Sequence, residues 1–227
     1  MAASSLQTRF WWHWVVANSL AELLGLGTVA SVGYVISSQV AEPHGLSQAL
    51  ALASAFILLG AFEGLVVGWA QARLLKLRLP KLTGWVRASV VGAVFAWVIG
   101  MVPSTLMRVG QSAEATQPPD ISEPLRLLLA AGLGLAAGPI LAFFQWRRLR
   151  QHVPHSGWWL PANAVAWAVG MPIVFLGAHV GAYLTGNIAI VVAVAVALAA
   201  AGAAVGAIHG RVLLWLTPEA PQNHNAA

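Results

Sequence analysis

Residues 138–163 read GPILAFFQWRRLRQHVPHSGWWLPAN. The stretch contains the end of one apolar helix, a short basic turn and the opening of the next helix, and both halves recur elsewhere in the chain. The helix end reads Gly138-x-x-x-Ala142-x-x-Gln145-x-Arg147. Its relatives are Gly64-x-x-x-Gly68-x-x-Gln71-x-Arg73 and Gly202-x-x-x-Gly206-x-x-His209-x-Arg211. Pro80, Pro154 and Pro218 each follow nine residues after Gln71, Gln145 and His209. The helix opening reads Trp159-Leu-Pro-Ala162-Asn163, matched by Trp85-Val-Arg-Ala88-Ser89 and Trp14-Val-Val-Ala17-Asn18. Self-similarity on both helix types, in register, marks a tandem repeat. Each unit holds two helices, so successive units enter the membrane in the same direction and relate by rotation about its normal. The expected fold is an all-α membrane protein of six transmembrane helices, arranged as three parallel two-helix repeats in a pseudo-threefold bundle. The repeats cover roughly 11–80, 81–154 and 155–218 of a single membrane domain spanning 1–227, with a disordered cytoplasmic tail over 219–227.

Composition requires lipid as the solvent. The chain is 59% hydrophobic and 8% charged, with mean hydropathy +0.75. Soluble domains carry about 25% charged residues, so this chain lacks the charge to cover a water-facing surface. Six apolar runs, at about 11–38, 48–74, 84–107, 124–147, 158–184 and 187–214, are each long enough to span hydrocarbon. They are far too long for barrel strands and show no strict alternation. With no cysteine there is no disulfide, thiolate metal site or cysteine nucleophile. The formal charge of +5 lies in short loops beside apolar runs. It reads as a topology signal, and no nucleic-acid partner is expected. The run after Arg9 is too long for a signal peptide and belongs to the repeat.

Ten of the 12 basic residues fall on the side of the inter-repeat turns and both termini; Arg108 and Arg126 lie opposite. The positive-inside rule makes that side cytoplasmic, placing the chain in the cytoplasmic (inner) membrane with both termini inside. Trp11, Trp12, Trp14, Trp69, Trp85, Trp146, Trp158, Trp159 and Trp215 cluster near this inner interface, where indoles anchor at headgroup depth. Trp97 and Trp167 sit deeper. The Gln-Pro-Pro-Asp run at 117–120 makes the opposite loop a flexible one.

Gln145-Trp146-Arg147-Arg148-Leu149-Arg150 and Gly157-Trp158-Trp159 carry a resemblance. The chain resembles a loose group of uncharacterised bacterial multi-pass membrane proteins with repeated Gln-Trp and Leu-Arg turns. The resemblance covers nearly the whole chain and implies no activity.

Three constellations are candidates for function. The small-residue ridges let helix backbones approach closely, either within the bundle or against a partner helix. Gln71, Gln145 and His209, with Arg73, Arg147 and Arg211, would form an inner polar collar under threefold symmetry. It is either structural, with the arginines snorkelling to phosphates, or a site for anions or lipid headgroups. Glu22 and Glu63 break the repeat. Counterparts of Glu22 are Ala93 and Trp167, and those of Glu63 are Ala137 and Ala201. At helical rise both lie roughly 12–15 Å into the membrane. A carboxylate there costs several kcal/mol unless paired or protonated (about 2.5–3.5 kcal/mol for Asp on insertion scales). Asn18, one turn from Glu22, is a possible partner, and Asn163 is its counterpart. The pair is a protonated structural contact, a proton or cation site, or a catalytic acid.

No histidine pair has metal or haem spacing, and no Walker, nucleophile-elbow or HExxH motif occurs. No metal and no cofactor are expected. The expected role is non-enzymatic: an accessory or scaffold subunit, or a binder of lipid or a small molecule, with membrane lipids and other membrane subunits as partners. The alternative is a small transporter or channel using the carboxylate pair. An intramembrane enzyme would need a second reacting group, with Asn18, His13 or Ser19 the local choices.

Overall fold

A computed structural model describes residues 2–39, 46–110 and 121–218. The expected flexible run at 117–120 and the expected tail at 219–227 lie outside the described residues. Six α-helices form: α1 (Ala2–Gln39), α2 (Leu46–Leu75), α3 (Trp85–Gly110), α4 (Glu123–Leu149), α5 (Trp159–Tyr183) and α6 (Asn187–Leu216). A single 3-10 turn, Ser156–Trp158, leads into α5. No strand occurs among the described residues. Helices α1, α2, α4, α5 and α6 are long and apolar enough to cross a membrane, and the apolar part of α3, Trp85–Met101, is shorter. The chain is a multi-pass helical membrane protein.

α1 begins at Ala2, ahead of the apolar run that starts near residue 11. Residues 2–10 contain neither Gly nor Pro, so nothing local stops the helix from extending beyond its apolar part. Pro139 and Pro172 lie inside α4 and α5. Neighbouring helices and local adjustments make such prolines tolerable in membrane helices. Between α2 and α3 the chain turns through Gly84, whose φ of +73° suits a residue without Cβ.

Each helix packs on its chain neighbours, and α1 closes the ring by packing on α6; the α3–α4 seam is the thinnest. Hydrocarbon provides little hydrophobic drive between helices, so close packing and hydrogen bonds must hold them. The even helices meet their partners through small residues. A Cβ added at Gly64 would stand 2.9 Å from the Ser89 carbonyl oxygen, and one at Gly202 would stand 2.6 Å from that of Asn18. One at Gly138 would collide with the Asn163 carbonyl. The glycines therefore face seams inside the ring: α2 on α3, α4 on α5, and α6 on α1.

At the end of the bundle where α1 begins and α6 ends, Trp14, Trp85 and Trp159 pack with Leu75, Leu149 and Leu213 in a buried apolar layer. This corrects the expectation that all nine tryptophans near this end anchor at the headgroups. Trp12, Trp69, Trp158 and Trp215 do expose more than half of their surface. Trp14, Trp85 and Trp159 instead point inward, because each indole N–H finds an acceptor inside the ring. A buried indole without one would be costly.

Candidate functional site

A ring of polar side chains lies directly beneath the Trp–Leu layer. Trp85 Nε1 donates to Gln71 Oε1 at 3.1 Å, and Trp159 Nε1 donates to Gln145 Oε1 at 3.0 Å. Trp14 Nε1 donates to His209 Nδ1 at 3.0 Å. With Nδ1 accepting, the His209 ring is neutral and carries its hydrogen on Nε2. Each bond joins an odd-numbered helix to the last part of an even-numbered one. Gln71 Nε2 donates to Asn18 Oδ1 at 2.8 Å. Gln145 Nε2 reaches Ser89 Oγ at 2.9 Å and Gln71 Oε1 at 3.2 Å. Asn18 and Asn163 donate back to the carbonyls of Trp14 and Trp159 at 2.7 and 2.8 Å. Ser89 does the same to Trp85 at 3.1 Å. The four-residue spacing makes this geometry available on any helix.

Asn18 therefore does not bond to Glu22. Its amide nitrogen leans back toward the preceding turn, as helical side chains do, and its oxygen is taken by Gln71. The expected six-residue collar also divides. Gln71, Gln145 and His209 are buried, while Arg73, Arg147 and Arg211 are exposed. Two residues along a helix is about 200° of rotation, so the inward-facing amides turn the arginines outward. Arg73 stacks over Trp69 and Arg211 over Trp11, each guanidinium 4.2 Å from the ring centroid.

Glu22 and Glu63 are both buried, at 2% and 6% exposure. Glu63 accepts a 2.9 Å hydrogen bond from Trp97 Nε1. That indole occupies space left by Gly60 and stacks on Phe56 at 6.3 Å. Glu63 packs against α1 at Gly25, where an added Cβ would stand 3.0 Å from Glu63 Cγ. Glu22, on the same stretch of α1, packs against Gly202 of α6, with the corresponding distance 2.9 Å to its Cγ. Both carboxyls line one cavity of about 10 Å³ together with Asn18, Asn163, Gln145 and His209. That is room for about one water. Glu22 Oε2 is buried and has no hydrogen-bond partner.

The pairing of Glu63 with Trp97 was not read from the sequence. A mid-membrane Trp needs an acceptor, and Glu63 was the nearest buried candidate, but the register of α2 on α3 was needed to join them. A second missed group lies at the opposite end of the bundle. Glu123 and Arg126, one turn apart on α4, pair at 3.0 Å. His179 of α5 closes the group, 2.9 Å from Arg126 and 3.3 Å from Glu123. Among the described residues no set of three or more His, Asp or Glu could hold a metal ion.

The ring directs its hydrogen bonds at its own members. The carboxyl pair, with Asn163 and His209 beside it, faces the cavity and retains hydrogen-bonding capacity for a small guest. Comparison with protein-family models, curated proteins and solved structures finds no match for this chain.

Proposed function

We propose that this chain is a non-enzymatic scaffold or accessory subunit of the cytoplasmic membrane. In this reading six crossings form three two-helix repeats about a pseudo-threefold axis, with both termini cytoplasmic. Matching contacts support the symmetry. Gly64, Gly138 and Gly202 meet the carbonyls of Ser89, Asn163 and Asn18, which are equivalent positions after Trp85, Trp159 and Trp14. The three Trp hydrogen bonds to Gln71, Gln145 and His209 repeat the same relation. The asymmetry of basic residues supports the orientation.

One observation carries the scaffold reading. Among the described residues, the cavity beneath the Trp–Leu layer has room for about one water, too little for an organic substrate. Small-molecule ligands of drug size need cavities of about 300–1,000 Å³. Function then falls to the outer surface, with lipids and other membrane subunits as partners. Exposed Trp69 beneath Arg73, and Trp11 beside Arg211, present cations at headgroup depth on that surface. Purification in mild detergent, followed by mass spectrometry of retained lipids and chains, tests this. The expected result is a bound anionic lipid or a co-purifying membrane subunit. Recovery of the bare chain alone would count against it.

The second reading, a small transporter or channel, is favoured by the unpartnered Glu22 oxygen in the cavity. It expects ion flux in liposomes that falls in Glu22→Gln and Glu63→Gln; flux unchanged in both variants would remove its support.

A further inference from the structure

Among the described residues two buried side-chain oxygens lack a hydrogen-bond partner, Glu123 Oε1 and Glu22 Oε2. Glu123 Oε1 belongs to a carboxyl on the bundle rim whose other oxygen, Oε2, pairs with Arg126 and lies 3.3 Å from His179. Glu22 is 2% exposed and faces a cavity sized for about one water.

The groups facing it come from every neighbouring helix. α2 presents Glu63 and α6 presents His209, while α3, α4 and α5 present neutral Ser89, Gln145 and Asn163. No Lys or Arg lines the cavity, and Arg73 and Arg211 point outward. Two ionised carboxylates would repel each other there with no cation to offset either.

A metal cation is poorly served. Hard cations surround themselves with six or more oxygens, and all but Asn163 Oδ1 of the neutral side-chain oxygens here already accept a hydrogen bond. Asn18 Oδ1 accepts from Gln71, Gln145 Oε1 from Trp159, and Gln71 Oε1 from Trp85 and Gln145. A proton needs one carrier and one acceptor. The two carboxyls differ in a way that sorts those roles. Glu63 receives the Trp97 N–H, a donor that favours a carboxylate, and Glu22 receives none.

We propose that Glu22 and Glu63 form an intramembrane proton-binding site: Glu22 carries one proton and donates it, through one water in the cavity, as a hydrogen bond to the Glu63 carboxylate. Trp97 is the positioning residue that holds Glu63. The site goes beyond the scaffold reading and does not rest on it, since a bound proton serves a static bundle and a transporter alike.

Infrared spectroscopy of the full chain in lipid nanodiscs at neutral pH tests it. The expected spectrum contains a neutral carboxylic-acid carbonyl band of one equivalent, which shifts in D₂O and in protein labelled with ¹³C-glutamate. Glu22→Gln removes the band, Glu63→Gln keeps it, and replacing choline by Na⁺ at fixed pH leaves it unchanged. No band, two equivalents, or a band lost with Glu63→Gln and kept with Glu22→Gln would overturn the assignment. Loss of the band on adding Na⁺ would replace the proton by a metal cation. Should either variant fail to fold, the labelled wild-type protein still distinguishes zero, one and two equivalents and still reports the Na⁺ response. These outcomes are separate from the co-purification that decides the scaffold reading.

Discussion

Gln145→Leu should weaken the bundle more than any neighbouring surface change. Gln145 accepts from Trp159 and donates to Ser89 and Gln71, all inside a buried ring. Leucine has similar volume, so little cavity forms and the loss is polar. Hydrogen bonds between membrane helices average about 0.6 kcal/mol, which puts the three together near 2 kcal/mol. The Trp159 N–H is then left buried without an acceptor, and a stranded donor costs about 1–3 kcal/mol. These terms overlap, because the Trp159 bond appears in both, so the expected loss is about 2–4 kcal/mol. Arg147→Leu is the control. Arg147 lies two residues further along and is exposed, so its removal should change stability by less than about 0.5 kcal/mol. Reversible unfolding in mixed micelles of rising SDS content measures both. Equal stabilities for Gln145→Leu and wild type, or equal losses for the two variants, would refute the ring as a stabilising element.

Other consequences follow from the same geometry. His209→Gln should cost under about 1 kcal/mol, because a Gln oxygen can accept from Trp14 as Gln71 and Gln145 accept from their own tryptophans; His209→Leu should cost about 1–3 kcal/mol through the stranded indole N–H. The same unfolding assay checks this pair. Gly138→Val should cost at least about 1–3 kcal/mol because the new side chain meets the Asn163 carbonyl. Gly132→Ala has open space around it and should be neutral or stabilising by up to about 1 kcal/mol, measured alongside. Trp97→Phe should cost about 1–3 kcal/mol by removing the N–H from buried Glu63, and a Trp97→Phe chain as stable as wild type would show that the bond contributes nothing.

The helices were legible in the sequence because length and apolar content alone identify spans in lipid. Their ends were less so: α1 extends back to Ala2 through residues whose polarity hid a helix that nothing local interrupts. The inward register of Gln71, Gln145 and His209 was visible in the repeat. The fate of their partners was not. A tryptophan at a helix opening can face headgroups or the bundle with equal local logic, and only an acceptor on another helix decides it. The division of the collar has a simpler reason. Gln-x-Arg spacing separates two side chains by more than half a turn, so one face cannot hold both. Glu22 and Glu63 were found as departures from the repeat. Their relation through Gly25, Gly202 and one small cavity depends on helix register, which the turn lengths leave open.

The proposed bundle crosses the membrane with every helix, including α3, whose apolar stretch is the shortest. The absence of native cysteine makes single-cysteine labelling with a membrane-impermeant maleimide direct. Exposed positions suit it: Lys81 before α3, Ser122 before α4, His152 before α5 and Thr185 before α6. In intact cells or spheroplasts, cysteine at Ser122 and Thr185 should label, and cysteine at Lys81 and His152 should label only after the membrane is permeabilised. Labelling of cysteines at Lys81 and Ser122 from the same side would mean that α3 does not cross, and the six-crossing bundle would be wrong.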